Sequence, residues 1–145
     1  MKIFISADDN IKIIPNPVLN KIKTYIKQQH KFLVGDAPGF DDALQHFLWS
    51  ENAYNNTTVY FSRREWSEDR PRCYITSHDL KPVKTIASEN TEKFYAAKEY
   101  AMTRTADIVM IITNNTLKNN NFKRAQNMHK DIIVYNIADD TWQEN

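Results

Sequence analysis

The chain has 145 residues, of which 41% are hydrophobic and 26% charged, with a formal net charge of +1. That length suits one domain with one sizeable core. The near-neutral balance weighs against general nucleic-acid or membrane-surface binding, since both want a basic excess. One cysteine, Cys73, excludes an intramolecular disulfide and a zinc–cysteine cluster.

The N-terminal "KIFIS" (2–6) is a compact apolar run, as expected of a strand covered on both faces. Asp8 and Asp9 interrupt it too early for a signal peptide. No run in the chain approaches the roughly 20 apolar residues of a membrane span, so a cytoplasmic protein is expected. Asn16 followed by Pro17 reads as a cap and a first-turn proline. They open a helix with Val18, Leu19, Ile22, Tyr25 and Ile26 at helical spacing. "KFLVG" (31–35) is a second buried-strand run. A second helix follows over 40–51, carrying Phe40, Ala43, Leu44, Phe47 and Leu48 on one face. "TTVYFS" (57–62), rich in β-branched and aromatic residues, is a third strand.

Residues 63–90 lose this rhythm and contain Pro71 and Pro82. A helix over 91–105 restores it with good formers such as Ala96, Ala97 and Ala101. "ADIVMIIT" (106–113), the most apolar run, is a central strand. A short polar helix within 119–130 leads to a final strand, "DIIVYNI" (131–137). This alternation predicts a Rossmann-like α/β fold: an open, mostly parallel five-stranded sheet with helices on both faces, in a single domain. Ligands of such sheets bind outside the carboxyl ends of the strands, where strand order reverses. The exit loops 7–12, 35–40, 62–66 and 113–119 are therefore the candidate site.

Average usage would give a chain of this length about ten glycines, yet it has two, Gly35 and Gly39, both in the second of these loops. Gly35 lets the backbone leave the strand without a Cβ, and Gly39, beside Pro38, admits a ligand or a neighbouring backbone at the helix start. Amides there suit a phosphate. Asp36, Asp41 and Asp42 would repel one, but carboxylates there could instead cap the helix, accept hydrogen bonds from ribose hydroxyls or position a cation. A tight structural turn and a ligand loop both satisfy the pattern.

"FLVGDAPGFDDALQHFL" (32–48) resembles the second loop of the SLOG superfamily, the Rossmann-like group that includes the Smf/DprA and LOG proteins. Gly35, Ala37, Gly39, Phe40 and Asp41 take places comparable to the family's S-G-G-A-x-G-I-D, and Gln45 or His46 stands near its histidine. "FYAAKEYAMTRTADIVMIIT" (94–113) is similar to the F-Y-x-A-K-x-x-A-M helix and apolar strand of the small, stand-alone YspA/YpsA-like members. The resemblance implies a nucleotide-derived ligand, such as an ADP-ribose derivative or another nucleotide signal. Two loops depart from the family. Its Gly-Ser-Arg is here Ala7, Asp8, Asp9 and Asn10, which removes a phosphate cradle and adds two negative charges. Its Ser-x-Gly-Thr is here "NNTLKNNNFK" (114–123), where Thr116, Asn119 and Asn120 remain as donors.

The expected ligand-binding set is thus Asp8, Asp9, Gly35, Asp36, Pro38, Gly39, Asp41, Arg63, Arg64, Thr113, Asn114, Thr116 and Asn119. Asp8 or Asp9 would touch a sugar or base. Arg63 and Arg64 would supply the phosphate-clamping charge at a strand's carboxyl end, while Arg70 and Arg72 read as a solvated loop paired with nearby acids. The four histidines show no metal spacing, and no cofactor or metal is expected. Recognition without chemistry, by a sensor subunit or a ligand sponge, is the leading reading. A chain rich in Asn, Lys and Ile suits a phage or an AT-rich bacterium, and a phage copy would counter nucleotide-based immune signalling in the host cytoplasm. Homo-oligomerisation stays open. The alternative is an N-glycosidase or deoxyribosyltransferase using Glu99 or the aspartates; single-stranded DNA binding is disfavoured by the +1 charge.

Overall fold

The computed structural model describes residues 1–61, 83–84 and 91–144, with 61, 83–84 and 91–96 described by their backbone. The five expected strands form as β1 (Lys2–Ala7), β2 (Lys31–Val34), β3 (Thr57–Phe61), β5 (Ile108–Thr113) and β6 (Asp131–Asn136). Two short edge strands extend the sheet to seven: β4 (Val83–Lys84) and β7 (Thr141–Glu144). The order is β4-β3-β2-β1-β5-β6-β7. β1 to β6 pair in parallel and β7 returns antiparallel against β6.

Covered faces explain the continuous apolar runs. β5 is buried at every residue, and β1 at four consecutive positions between exposed Lys2 and half-buried Ala7. Helices α1 (Asn16–Lys27) and α2 (Phe40–Ser50) lie on one face. There Val18, Ile22, Phe40, Leu44 and Leu48 pack with Ile3, Ile5, Val34, Met110 and Ile112. Helices α3 (Thr91–Thr105) and α4 (Asn120–Asn127) serve the other. There Met102, Phe122 and Ala125 pack with Phe4, Leu33, Val109, Ile111 and Val134. Leu19, Tyr25, Ile26, Ala43 and Phe47, expected on the inner helix faces, are half-buried against the first core. The start of α1 differs by one residue from expectation. Pro15 is the N-cap and its carbonyl takes the Val18 and Leu19 amides at 3.0 Å each, so Asn16 lies inside the first turn rather than capping it.

The topology fixes where a ligand can sit. β1 is flanked by β2 on one side and β5 on the other, in register from Ile3 opposite Ile108 to Ala7 opposite Ile112. From β1 the chain proceeds through α1 to β2; from β5 it proceeds through α4 to β6. Two adjacent strands whose connections leave in opposite directions open a crevice at their carboxyl ends. Among the described residues no helix is long and apolar enough to cross a membrane.

Leu44 is fully buried where α2 meets the sheet. Leu44→Ala is expected to lower unfolding free energy by about 2–5 kcal/mol, the range for buried leucine truncation. Urea denaturation checks this, with an unchanged slope marking a pure stability effect.

Candidate functional site

An open crevice of about 780 Å³ lies at the exits of β1 and β5, lined by Ala7, Asp8, Asp9, Asn10, Glu99, Asn114, Asn115, Lys118, Asn119, Asn120, Asn121 and Arg124. Asp8 forms its floor. Its Oδ2 accepts from the Thr113 hydroxyl at 2.7 Å and the Asn114 amide at 2.9 Å, and its Oδ1 accepts from Asn119 Nδ2 at 2.8 Å. Three donors leave this carboxylate little capacity for a ligand. Its charge joins β1, β5 and the cap of α4, because Asn119 Oδ1 also accepts from the Phe122 amide at 2.8 Å.

Around that floor the polar side chains fall into two groups. Asn115, Asn119 and Asn121 are engaged. Asn115 Oδ1 accepts from the Leu117 amide, and Asn121 Nδ2 donates to Ser6 Oγ at 2.7 Å in the buried interior. The side chains of Asp9, Asn10, Asn114, Lys118 and Asn120 are exposed, and among the described residues none of them has a hydrogen-bond partner. The crevice thus presents neutral amides, a cation and a carboxylate from the two loops that follow β1 and β5 and from the first residue of α4.

Beside it, a cavity of about 40 Å³ is bordered by Asp8, Asp9, Ala37, Pro38, Asp41 and Glu99. It is too small for a nucleotide, and it brings the loop containing the glycines against the β1 exit. That loop is occupied by the protein's own groups. Asp41 Oδ2 accepts from the Ala37 amide at 3.0 Å, and Gln45 Nε2 donates to the Gly35 carbonyl at 2.8 Å. Lys98 Nζ donates to Asp36 Oδ1 at 3.0 Å, with both side chains 6% exposed. The need for glycine follows. A Cβ on Gly35 would fall 2.5 Å from Asp41 Oδ2 and 3.4 Å from Lys98 Nζ. Gly39 has φ +92°, which L side chains rarely adopt, and its Cβ would fall 2.5 Å from Lys12 Cδ. Both glycines therefore accommodate neighbouring side chains of the same chain.

The electrostatics beneath the loop follow from burial. Desolvation lifts the Asp41 carboxyl to about 6, although Lys98 and the Ala37 amide pull it down. Burial by itself lowers a lysine pKa, but Asp36, Asp41 and Glu99 outweigh it and raise that of Lys98. This lysine stays charged.

Of the residues expected from the sequence, Asp8, Asp9, Asn114 and Asn119 share the large crevice with Glu99. Pro38 and Asp41 border the small cavity. Gly35, Asp36 and Gly39 line neither. Thr113 lies beneath the crevice floor, bonded to Asp8, and half-buried Thr116 gives its carbonyl to the Asn119 amide. Arg63, Arg64, Arg70, Arg72 and Cys73 lie outside the described residues. Lys118, Asn121, Arg124 and the buried Lys98 were not expected. Lys98 stands at the K of the F-Y-x-A-K-x-x-A-M resemblance, and the three-residue spacing of Asn121 and Arg124 on one helix face was a local signal for those two. Among the described residues no three His, Cys, Asp or Glu side chains are placed to hold a metal ion. Comparison with protein-family models, curated proteins and solved structures finds no match to this chain.

Asp8→Asn replaces an acceptor-only group with one that cannot serve all three donors, and is expected to cost about 1–3 kcal/mol of stability. Asp9→Asn, next along the chain and without such partners among the described residues, is expected to leave the Tm unchanged. Thermal unfolding of the two variants separates a structural aspartate from a solvent-facing one.

Asp41 gives a pH signature. Its folded-state value of about 6 lies above the ordinary 3.8, so between these values the folded state holds the proton more tightly than the unfolded chain. Its contribution therefore favours folding at low pH and is lost as pH rises from about 4 to 6. Asp41→Asn keeps an acceptor for the Ala37 amide and removes the titration. Relative to wild type, the variant is expected to gain stability as pH rises through that window, measured by urea unfolding at pH 4 and pH 7.

Proposed function

We propose that this protein is a SLOG-like binder of a nucleotide-derived small molecule, such as an ADP-ribose derivative or a nucleotide signal, acting by recognition. The observation that carries this reading is the crevice at the β1/β5 switch point. Its volume of about 780 Å³ lies in the range of roughly 300–1,000 Å³ typical of small-molecule sites, and open α/β sheets bind ligands at this place. The amides of Asn10, Asn114 and Asn120, unpartnered among the described residues, each offer both donors and an acceptor, which suits base edges and ribose hydroxyls. Asp9 is an acceptor for the same hydroxyls. The resemblance of residues 32–48 and 94–113 to SLOG proteins points the same way. Binding without turnover makes the protein a sensor or a sponge, and in a phage it would deplete a nucleotide immune signal.

A second reading rests on Glu99, whose side chain borders both cavities. A carboxylate so placed suits attack on, or proton transfer during, cleavage of an N-glycosidic bond.

Thermal unfolding with adenosine, AMP, ADP-ribose, NAD and cyclic ADP-ribose tests both readings. A bound ligand at about 100 times its dissociation constant stabilises by roughly 2.7 kcal/mol. A clear Tm increase with at least one nucleotide, and the ligand recovered intact by chromatography, is expected. No increase with any of them overturns the proposal. Free base in the recovered sample transfers it to the Glu99 reading.

A further inference from the structure

Within the crevice one charged group is held in place before any ligand arrives. Arg124 Nη1 donates to Asn121 Oδ1 at 2.7 Å, and Asn121 is itself fixed by its buried bond to Ser6. The guanidinium carbon lies 4.9 Å from the centroid of the Tyr100 ring, at cation–π distance. These two contacts, from α4 and α3, restrict the long side chain, which is only 18% exposed. A guanidinium has five N–H donors, and a single hydrogen bond from this one is present among the described residues.

Among the described residues Glu99 is its nearest carboxylate, with Oε2 3.7 Å from Arg124 Nη1. That is ion-pair distance but too long for a hydrogen bond. The pair is therefore electrostatically matched and geometrically incomplete. A planar fork with donors to spare reads phosphate or carboxylate oxygens in a bidentate manner. Lys118 lines the same crevice and adds a second positive charge.

We propose that Arg124, oriented by Asn121 and Tyr100, is the subsite for an anionic group such as a phosphate, and that Glu99 is the internal counter-charge with which the incoming anion competes. This deepens the nucleotide reading above, which places a ligand in the crevice without assigning its charged end. A neutral ligand gains less from the fork than an anion does. An anion gains directed hydrogen bonds but works against the nearby carboxylate, so affinity for the anion is set by the balance of Arg124 and Glu99.

Pyrophosphate is the probe, titrated calorimetrically into wild type, Arg124→Gln, Arg124→Lys and Glu99→Gln, each checked for folding by circular dichroism. Wild type is expected to bind it. Arg124→Gln should lose about tenfold or more in affinity, the scale of a charged hydrogen bond. Arg124→Lys should recover part of that loss, since it restores charge without the fork. Glu99→Gln should tighten binding several-fold, a gain that no general loss of structure produces. No binding to wild type, unchanged affinity in Arg124→Gln, or unchanged or weaker affinity in Glu99→Gln overturns the assignment. If Arg124→Gln does not fold, the Glu99→Gln result alone decides. Pyrophosphate binding with these responses, in a protein that binds none of the nucleotides above, would retain the anion subsite and refute the nucleotide reading.

Discussion

The carboxylate of Asp8 is the constraint around which the carboxyl end of the sheet is arranged. It sits where the two central strands send their connections apart, and it holds the exit of β5 through Thr113 and Asn114. Through Asn119 it also holds the cap of α4. Hydrogen bonds to an ionised acceptor are about twice as strong as neutral ones, so this tie resists the separation that the topology invites. It also sets the position of α4, and with it Asn121 and Arg124. The acidic first loop is thus a structural knot as well as a rim.

A second polar set closes the neighbouring loop. Asp36 and Lys98 form a buried pair, and Asp41 turns back onto the Ala37 amide. Breaking such a pair by removing one partner is costly, since it leaves an uncompensated buried charge. The loop amide and the space above each glycine are filled by Asp41, Lys98 and Lys12. The crevice between β1 and β5 is less filled: there the side chains of Asp9, Asn10, Asn114, Lys118 and Asn120 have no hydrogen-bond partner among the described residues.

The strands were legible because burial on both faces writes them as continuous apolar runs; "IVMIIT" is the extreme case. β7, "TWQE", was not legible, because an antiparallel edge strand carries only Trp142 as a half-buried anchor. β4 is two residues inside a stretch without periodicity. The location of the crevice and its residues Asp8, Asp9, Asn114 and Asn119 followed from the rule for open sheets. The partners of Asp8 did not, since they lie 105 to 111 residues away in sequence. The two glycines announced close approach, but not that the approaching groups were Asp41 and Lys12. Arg124 read as one more charge on a polar helix, because only the fold brings Glu99 and Tyr100 beside it.

Among the described residues a second crevice has a volume similar to that at the β1/β5 exits, and this makes the proposed location directly testable. The second, about 770 Å³, lies toward the opposite ends of the strands and is bordered by Met1, Tyr25, His30, Ile108, Asp131 and Glu144. Amide chemical shifts of isotopically labelled protein, followed during titration with ADP-ribose, report which one is occupied. The predicted result is perturbation concentrated at residues 8–10, 114–115 and 118–121, with 28–30 and 131–133 unmoved. Perturbation centred on Tyr25, His30 and Asp131, or none at saturating ligand, would contradict a binding site at the β1/β5 switch point.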